Sequence, residues 1–367
     1  MKKAIIIGAG ISGSIPAMLL KEKGWSVTVI DKASYIGGGL RTFFHGGHPF
    51  TYGPRHFLSP HPEAYEFLNK YVPLRDITKI NYTFIESDNT FYTYPPHEED
   101  VPIMPEAAII QKELKSLPDE SPSPNFEEFW LHRVGPTLYG KFIKEYNKKA
   151  WFLDSNTEMD FGLEGTVKRR PLETGGRHEF KDWFNCYPIP HDGYNQLFDK
   201  ALEDCQVLLD THITGFDLEG SAVHIGDQRL KADVLVSTIS PDTLMDYQYG
   251  ELGYVGREFH NIVLPLEFAL PEDVYFVYYP NANESHTRVV EYKKFTMHRD
   301  PTTLLSLEIP SRKNKLYPTL IQSEVDKAQQ YIDALPDNVL SVGRMGTYRY
   351  KDIDDIILES IECVGNL

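Results

Sequence analysis

The chain of 367 residues is too long for one comfortable hydrophobic core, so two or three subdomains are expected. Its 41% hydrophobic and 25% charged residues are ordinary for a soluble globular protein. A formal charge of -16 argues against a general nucleic-acid or anionic-membrane surface, and an anionic small substrate would need a local basic pocket. Cys186, Cys205 and Cys363 are too few and too scattered for a disulfide framework or a metal site, and a reducing cytoplasm is the simplest compartment. Met1-Lys2-Lys3 before an apolar run has the outline of a signal peptide, but the run breaks at Gly8 and is needed as a strand. No stretch approaches the ~20 apolar residues of a membrane span, so stable membrane insertion is not expected.

Ala4 to Ile7 is wholly apolar and β-branched after its first residue, the pattern of a parallel strand buried on both faces. Gly8, Gly10 and Gly13 follow at G-x-G-x-x-G spacing. They suit a tight turn, a close backbone approach to a pyrophosphate, and close packing of the next helix. That helix is predicted from about Ser12 to Lys23, with Pro16 near its first turn and Gly24 ending it. Trp25 to Ile30 is the second strand. Asp31 stands at its carboxyl end, eighteen residues beyond Gly13, where a carboxylate can accept hydrogen bonds from adenosine ribose hydroxyls.

Further along, Phe50 to Phe57 reads as an extended segment and His61 to Tyr71 as a helix capped near Ser59. Thr78 to Thr93 alternates apolar and polar residues about Asp88-Asn89, a hairpin signal. A helix over about Glu106 to Ser116 precedes a Pro/Ser-rich linker, and Phe126 to Trp151 carries helical spacing. A helix begins near Tyr194, Val207 to Asp210 is a short strand, and Ala232 to Ile239 is a buried one. Val255 to Ile309 should form a mostly antiparallel sheet. Val339 to Val342 is the last strand, and Asp352 to Cys363 closes the chain as a helix. The implied fold is α/β: a discontinuous Rossmann-like nucleotide domain (1–77, 197–245 and 330–367), a helical insertion (100–187) and an antiparallel sheet domain (78–99 and 246–329).

Ile36-Gly37-Gly38-Gly39-Leu40-Arg41 resembles the Gly-Gly segment of the FAD-binding family that includes amine oxidases, phytoene desaturases and sugar-nucleotide mutases, which makes FAD the expected nucleotide. Six further segments occur in order: Tyr52-Gly53-Pro54, FIKEYNKKAW from Phe142, Asp192-Gly193-Tyr194, YQYGELGY from Tyr247, HTRVVEYKKF from His286, and GRMGTYRYKDID from Gly343. Together they are similar to UDP-galactopyranose mutase over nearly the whole chain. The resemblance implies a flavin-dependent isomerase that interconverts pyranose and furanose forms of a nucleotide-linked sugar, acting in supply of cell-surface polysaccharide precursors. Reduced flavin N5 would attack the anomeric carbon and displace the nucleoside diphosphate. Displacement builds charge on the leaving group, so fixed cations and hydroxyls are the expected apparatus. By the same resemblance, Arg288 and Tyr350 are the catalytic candidates and both reach the diphosphate. Gly8, Gly10, Gly13, Asp31, Gly38, Gly39, Arg55, His56, Arg344 and Asp352 would hold the cofactor. Asn81, Phe142, Tyr146, Trp151 and Arg177 would join Arg288 and Tyr350 around the substrate. No metal site is expected, and a homodimer is an open option.

The chain departs from the family at instructive places. Where the family reads Y-G-P-H-I-F-H-T, this chain has Arg55, His56 and Leu58 after Tyr52-Gly53-Pro54. A phosphate-binding arginine of the family falls on or near Glu173, with Arg177 a replacement candidate, and a substrate tyrosine falls on Ile309. Arg55 could meet a carboxylate or extra phosphate, and Ile309 an apolar group such as a 6-deoxy methyl. Lys168-Arg169-Arg170 reads as a solvated run with a phosphate role as the alternative. Two other functions stay open at this point: an FAD oxidoreductase of the amine oxidase or desaturase type, and a catalytically silent flavin-binding relative.

Overall fold

Lys3–Ile7 lies at the centre of a five-stranded parallel sheet. In the computed structural model, which describes residues 1–118, 123–159, 172–178, 180, 182–271 and 273–367, the strand order is Gln206–Leu208, Ser26–Ile30, Lys3–Ile7, Val234–Ser237 and Val339–Ser341. Three distant stretches of chain therefore build one sheet. The continuous apolar run follows from burial on both faces. Ala4 and Ile6 pack with Ala17, Leu20, Val27 and Val29, whereas Ile5 and Ile7 pack with Val223, Leu235 and Leu244. Each such fully buried side chain contributes about 1.5–3 kcal/mol relative to exposure.

The first helix runs over Ile11–Glu22. Pro16 is its sixth residue, past the first turn, so the Ser12 carbonyl lacks its usual i+4 donor. Gly8 and Gly13 tolerate no side chain. A Cβ on Gly8 (φ 107°) would lie 2.1 Å from Thr238 Oγ1, and one on Gly13 would lie 2.0 Å from the Gly8 carbonyl oxygen. A small antiparallel meander (Gly215–Asp217, Ala222–Ile225, Gln228–Lys231) covers the Ile5/Ile7 face; the sequence pattern did not anticipate it, nor the helix Gln322–Asp333.

The second large sheet has seven strands in the order Tyr317–Pro318, Tyr254–Leu264, Thr303–Ser311, Arg288–Glu291, Val274–Tyr278, Ile80–Ile85 and Thr90–Tyr94. The hairpin about Asp88-Asn89 is present, with Asn89 in the left-handed region. The expected mostly antiparallel sheet over residues 255–309 is present, and one parallel pair joins it to the hairpin: Val274–Tyr278 runs parallel to Ile80–Ile85, which comes from a remote part of the chain.

The stretch from Phe126 to Trp151 is not one continuous helix. Phe126–Leu138 is broken at Gly135 (φ 80°, ψ 167°), which precedes Pro136 and so escapes the α region. A π-turn over Tyr139–Lys144 then leads into Glu145–Trp151. The wider turn rotates the helix beyond it, so Tyr146 and Trp151 reach a cavity while Phe142 stays in the aromatic core beside Tyr92. The helix Ile353–Gly365 is capped by Asp352, whose backbone N–H donates to Asp355 in a capping box. No helix among the described residues is long and apolar enough to cross a membrane.

Candidate active site

Side chains alternate across a strand, so one face of the seven-stranded sheet can be read from its register. Thr83 is opposite Tyr278, Tyr278 opposite Arg288, Arg288 opposite Glu308, and Glu308 opposite Phe259. The neighbouring row brings Asn81, Phe276, Val290, Ser306 and Asn261 together. This face carries polar groups where a plain sheet would be apolar. Both amide atoms of Asn81, the hydroxyls of Thr83 and Ser306, the Asn261 carbonyl and one Glu308 oxygen are buried without a hydrogen-bond partner. Such orphans are expensive, and a polar ligand above the face would satisfy the accessible ones.

Above the sheet is a cavity of about 510 Å³ that runs back to the nucleotide loop at Gly10, Ser12, Gly37 and Gly39. Among the described residues its walls hold Arg55, Lys79, Arg257, Arg288, Lys315, Arg344 and Lys351, seven cations against two carboxylates, Glu308 and Asp352. In a chain of charge -16 this is a strong local reversal, suited to anions.

Arg288 donates to Glu308 Oε2 through Nη2 (2.7 Å) and Nε (3.1 Å), and its guanidinium lies over Phe276 and Tyr278 at 5.1 and 5.8 Å. Burial opposes its charge, but the Glu308 carboxylate and the Tyr278 and Tyr146 phenols together outweigh it and hold the pKa well above the ordinary value. Tyr317 and Tyr350 stack at 5.7 Å, 11° from parallel, with the Arg344 guanidinium over both rings. Burial pushes the Tyr317 phenol up, yet Arg55, Arg344 and Arg257 outweigh it and bring the pKa down to about 8. Tyr350 goes the other way, raised by burial and by Asp352. Tyr146 and Trp151 complete the wall, edge-on to Tyr278 (5.4 Å) and Tyr317 (5.8 Å).

Several expected site residues lie together here: Gly10, Gly39, Arg55, His56, Tyr146, Trp151, Arg288, Arg344, Tyr350 and Asp352 all line the cavity, as does Leu58. Gly38 packs beneath it on Gly10, and Gly8 and Gly13 shape the loop from behind. The Asp31 carboxylate accepts from the Ala9 N–H (2.7 Å) and the Ala33 N–H (2.8 Å), so it also braces the loop. Others do not join the site. Phe142 belongs to the core. Arg177 is held by Asp100 (2.7 Å), Thr93 and Glu99 and is not among the lining residues. Glu173 pairs through its backbone with residues 96–98. Ile309 follows Glu308 in the same strand and therefore points to the opposite face, away from the cavity. Lys168, Arg169 and Arg170 lie outside the described residues. Sequence reasoning missed Glu308, Arg257 and Tyr317, although a lone glutamate in the strand LLSLEIP was a usable signal.

A dinucleotide fits the other end of the cavity. Gly8 and Gly10 carry no Cβ between strand and helix, and a Cβ on Gly13 would meet the Gly8 carbonyl. The first N–H groups of Ile11–Glu22 have no intrahelical partners, and the helix N-terminus favours a pyrophosphate. A parallel nucleotide sheet facing a polar-faced sheet across one cationic cavity defines a class: a flavoprotein-type fold with its substrate face built from inserted strands.

Comparison with known proteins narrows this class. Residues 141–350 match the UDP-galactopyranose mutase family and residues 6–71 an NAD(P)-binding Rossmann-like domain. A dTDP-fucopyranose mutase of Escherichia coli is 28% identical, covering 99% of this chain and 97% of the relative. A probable UDP-galactopyranose mutase of Klebsiella pneumoniae is 25% identical, covering 98% and 93%. The crystal structure of a reduced UDP-galactopyranose mutase shares the fold with a TM-score of 0.84 at 17% identity, over 100% of this chain and 95% of that one. The chain belongs to the UDP-galactopyranose mutase family and is thus an isomerase of the pyranose–furanose type acting on nucleotide-linked sugars.

Proposed function

We propose that the protein is an FAD-dependent mutase, active with reduced flavin, that interconverts the pyranose and furanose forms of a nucleotide-diphosphate sugar. The observation that carries this reading is the cationic cavity joining the dinucleotide loop to the Arg288–Glu308 pair. FAD would lie with its adenosine ribose at Asp31 and its pyrophosphate at Gly10 and Ser12, its far end reaching past Gly39 into the cavity. When bound and reduced, it supplies the nucleophile for the anomeric carbon.

The chain's own residues account for the rest. Arg288, anchored by Glu308, presents its remaining N–H groups to the departing diphosphate, and the fork suits phosphate better than an ammonium would. Arg257, on the strand Tyr254–Leu264 at the far side of the Glu308 strand, offers a second cation to the same charge. Tyr350, with its pKa raised, stays protonated and can donate to a phosphate oxygen. Tyr317 shares a hydrogen bond with Arg55 and, ionising at about 8, can accept or return a proton near neutral pH. Tyr146 and Trp151 offer aromatic surface to the nucleobase. The three thiols, all free, suit a reducing compartment such as the cytoplasm.

Specificity has moved away from UDP-galactopyranose in this reading. Arg55 and Leu58 carry that proposal, since both line the cavity where the family presents histidines; Glu173 and Ile309 do not bear on it. The test is chromatographic separation of pyranose and furanose products from a panel of UDP-, dTDP- and GDP-sugars, with and without dithionite. Turnover only after reduction, with UDP-galactose not the best substrate, is expected. Stoichiometric consumption of oxygen or NADPH with a more oxidised product would overturn the function, and UDP-galactose as the best substrate would overturn the specificity.

A further inference from the structure

Most cations of the cavity are already matched within the protein. Arg288 has Glu308, Arg344 has the Lys351 carbonyl and Asp352, Lys315 has Asp242 at 3.5 Å, and Lys351 has Glu359. Arg257 donates to the Gly256 carbonyl at the cavity rim. Arg55 differs. Its hydrogen bond goes to the Tyr317 phenol, and its Nε is buried with no acceptor. Glu308 is near enough to favour its charge, but that carboxylate's hydrogen bonds go to Arg288.

The position of Arg55 says what it awaits. A Cβ built on Gly39 would lie 3.8 Å from Arg55 Nη2, and one on Gly53 would lie 3.9 Å from its Cζ. The guanidinium therefore fills the junction between the nucleotide loop and the sheet that carries Arg288 and Glu308. A dinucleotide anchored at Asp31 and Gly10 must pass Gly39 to reach that junction with its redox-active end.

We propose that Arg55 sets the reduction potential of the bound flavin, its half-buried guanidinium favouring the two-electron-reduced, anionic ring over the neutral oxidised one. This rests on the flavin reading above. A fixed cation beside the ring interacts with charge that appears only on reduction, and so changes the balance between the two forms rather than binding as such. The consequence suits a reaction with no net redox change: the cofactor must stay reduced through many turnovers, and a raised potential keeps it so.

The experiment is anaerobic reductive titration of FAD-loaded wild-type, Arg55→Met and Arg55→Lys proteins against a reference dye. Arg55→Met should lose at least tenfold in preference for reduced over oxidised flavin, about 30 mV lower for a two-electron couple. Arg55→Lys, which keeps the charge, should recover most of that difference. Binding of UDP and dTDP to the oxidised proteins is measured alongside. An unchanged potential in Arg55→Met would overturn the proposal, and weakened nucleotide binding with it would assign Arg55 to the sugar nucleotide. Should Arg55→Met fail to fold, Arg55→Gln titrated in the same way decides by the same criterion. A wild-type protein that binds no FAD would instead sink the functional reading.

Discussion

Lys149 offers the sharpest test of how the site is held in shape. It lies in the helix Glu145–Trp151, which supplies Tyr146 and Trp151 to the cavity wall. Its ammonium shares its three N–H donors among the carbonyls of Tyr279 (2.8 Å), Asn281 (2.8 Å), Glu284 (3.0 Å) and His286 (2.8 Å), all in the loop that ends just before Thr287 and Arg288. One side chain thus ties the helix of the aromatic wall to the loop that aims the arginine. Lys149→Met keeps the length and removes the donors. A buried polar group left without its partner costs about 1–3 kcal/mol, and since the loop can turn some carbonyls to water, the total should be about 2–4 kcal/mol. Released from the loop, Arg288 should present itself productively only part of the time, and the KM for the nucleotide sugar should rise about tenfold with a smaller change in kcat. Burial pushes the Lys149 pKa down to about 8, with the Glu284 carboxylate opposing; His286 also faces the ammonium and is itself lowered, first by burial and then by Lys149. Above pH 8 the clamp loses its charge, so KM should climb on the alkaline side. Global stability should not fall with it. A lysine whose folded pKa lies below its unfolded value of 10.5 makes the unfolded chain bind more protons between the two, so its contribution to stability rises with pH there. The assay is initial rate against substrate with reduced enzyme below and above pH 8, beside thermal melts, for wild type, Lys149→Met and Lys149→Arg. Tyr317 titrates in the same range and is followed separately by its phenolate absorbance. An unchanged KM in Lys149→Met, or an alkaline rise that Lys149→Arg leaves in place, would refute the reasoning.

Arg288→Ala should lose about a hundredfold or more in kcat, as for loss of an oxyanion donor, while keeping FAD; single-turnover rates and flavin content measure the two independently. Glu308→Gln should lower the melting temperature, because it leaves the Arg288 guanidinium buried beside a neutral amide, and removing one partner of a buried pair costs about 3–5 kcal/mol. Gly13→Ala should abolish flavin retention, read as loss of yellow colour on gel filtration, since its Cβ would overlap the Gly8 carbonyl. Arg177→Ala should leave turnover within about twofold while destabilising the fold by about 1–3 kcal/mol, because buried Asp100 loses its cation; a large loss of activity without loss of stability would return Arg177 to the substrate site.

The nucleotide half of the fold was legible because its constraints are local. A strand buried on both faces, three glycines at fixed spacing and an acid at the next strand end all fall between Lys3 and Asp31. Pro16 sits deeper in its helix than the sequence suggests, because a helix begins where its backbone bonds begin, at Ile11, and not at the first good cap. The three-stranded meander was invisible for a different reason. Its strands are three or four residues long and largely half-buried or exposed, and their pairing is set by the sheet face they cover rather than by any strong period of their own.

The substrate half was legible in identity but not in direction. The segments around Arg288 and Tyr350 do face the cavity, yet Phe142 and Arg177 do not, and the cause in each case lies outside the motif. The π-turn that begins at Tyr139 leaves Phe142 in the core and turns only the helix after it toward the cavity, and Asp100 captures Arg177. Ile309 shows the same point in one strand. As a position in a motif it falls at the sugar, but Glu308 beside it is fixed by Arg288 in register, and a period of two then sends Ile309 to the far face. The chemistry of this site is therefore set by which residues of the sheet share a face, and that assignment places Arg257, Arg288, Glu308 and Tyr317 around one cavity from four separate strands.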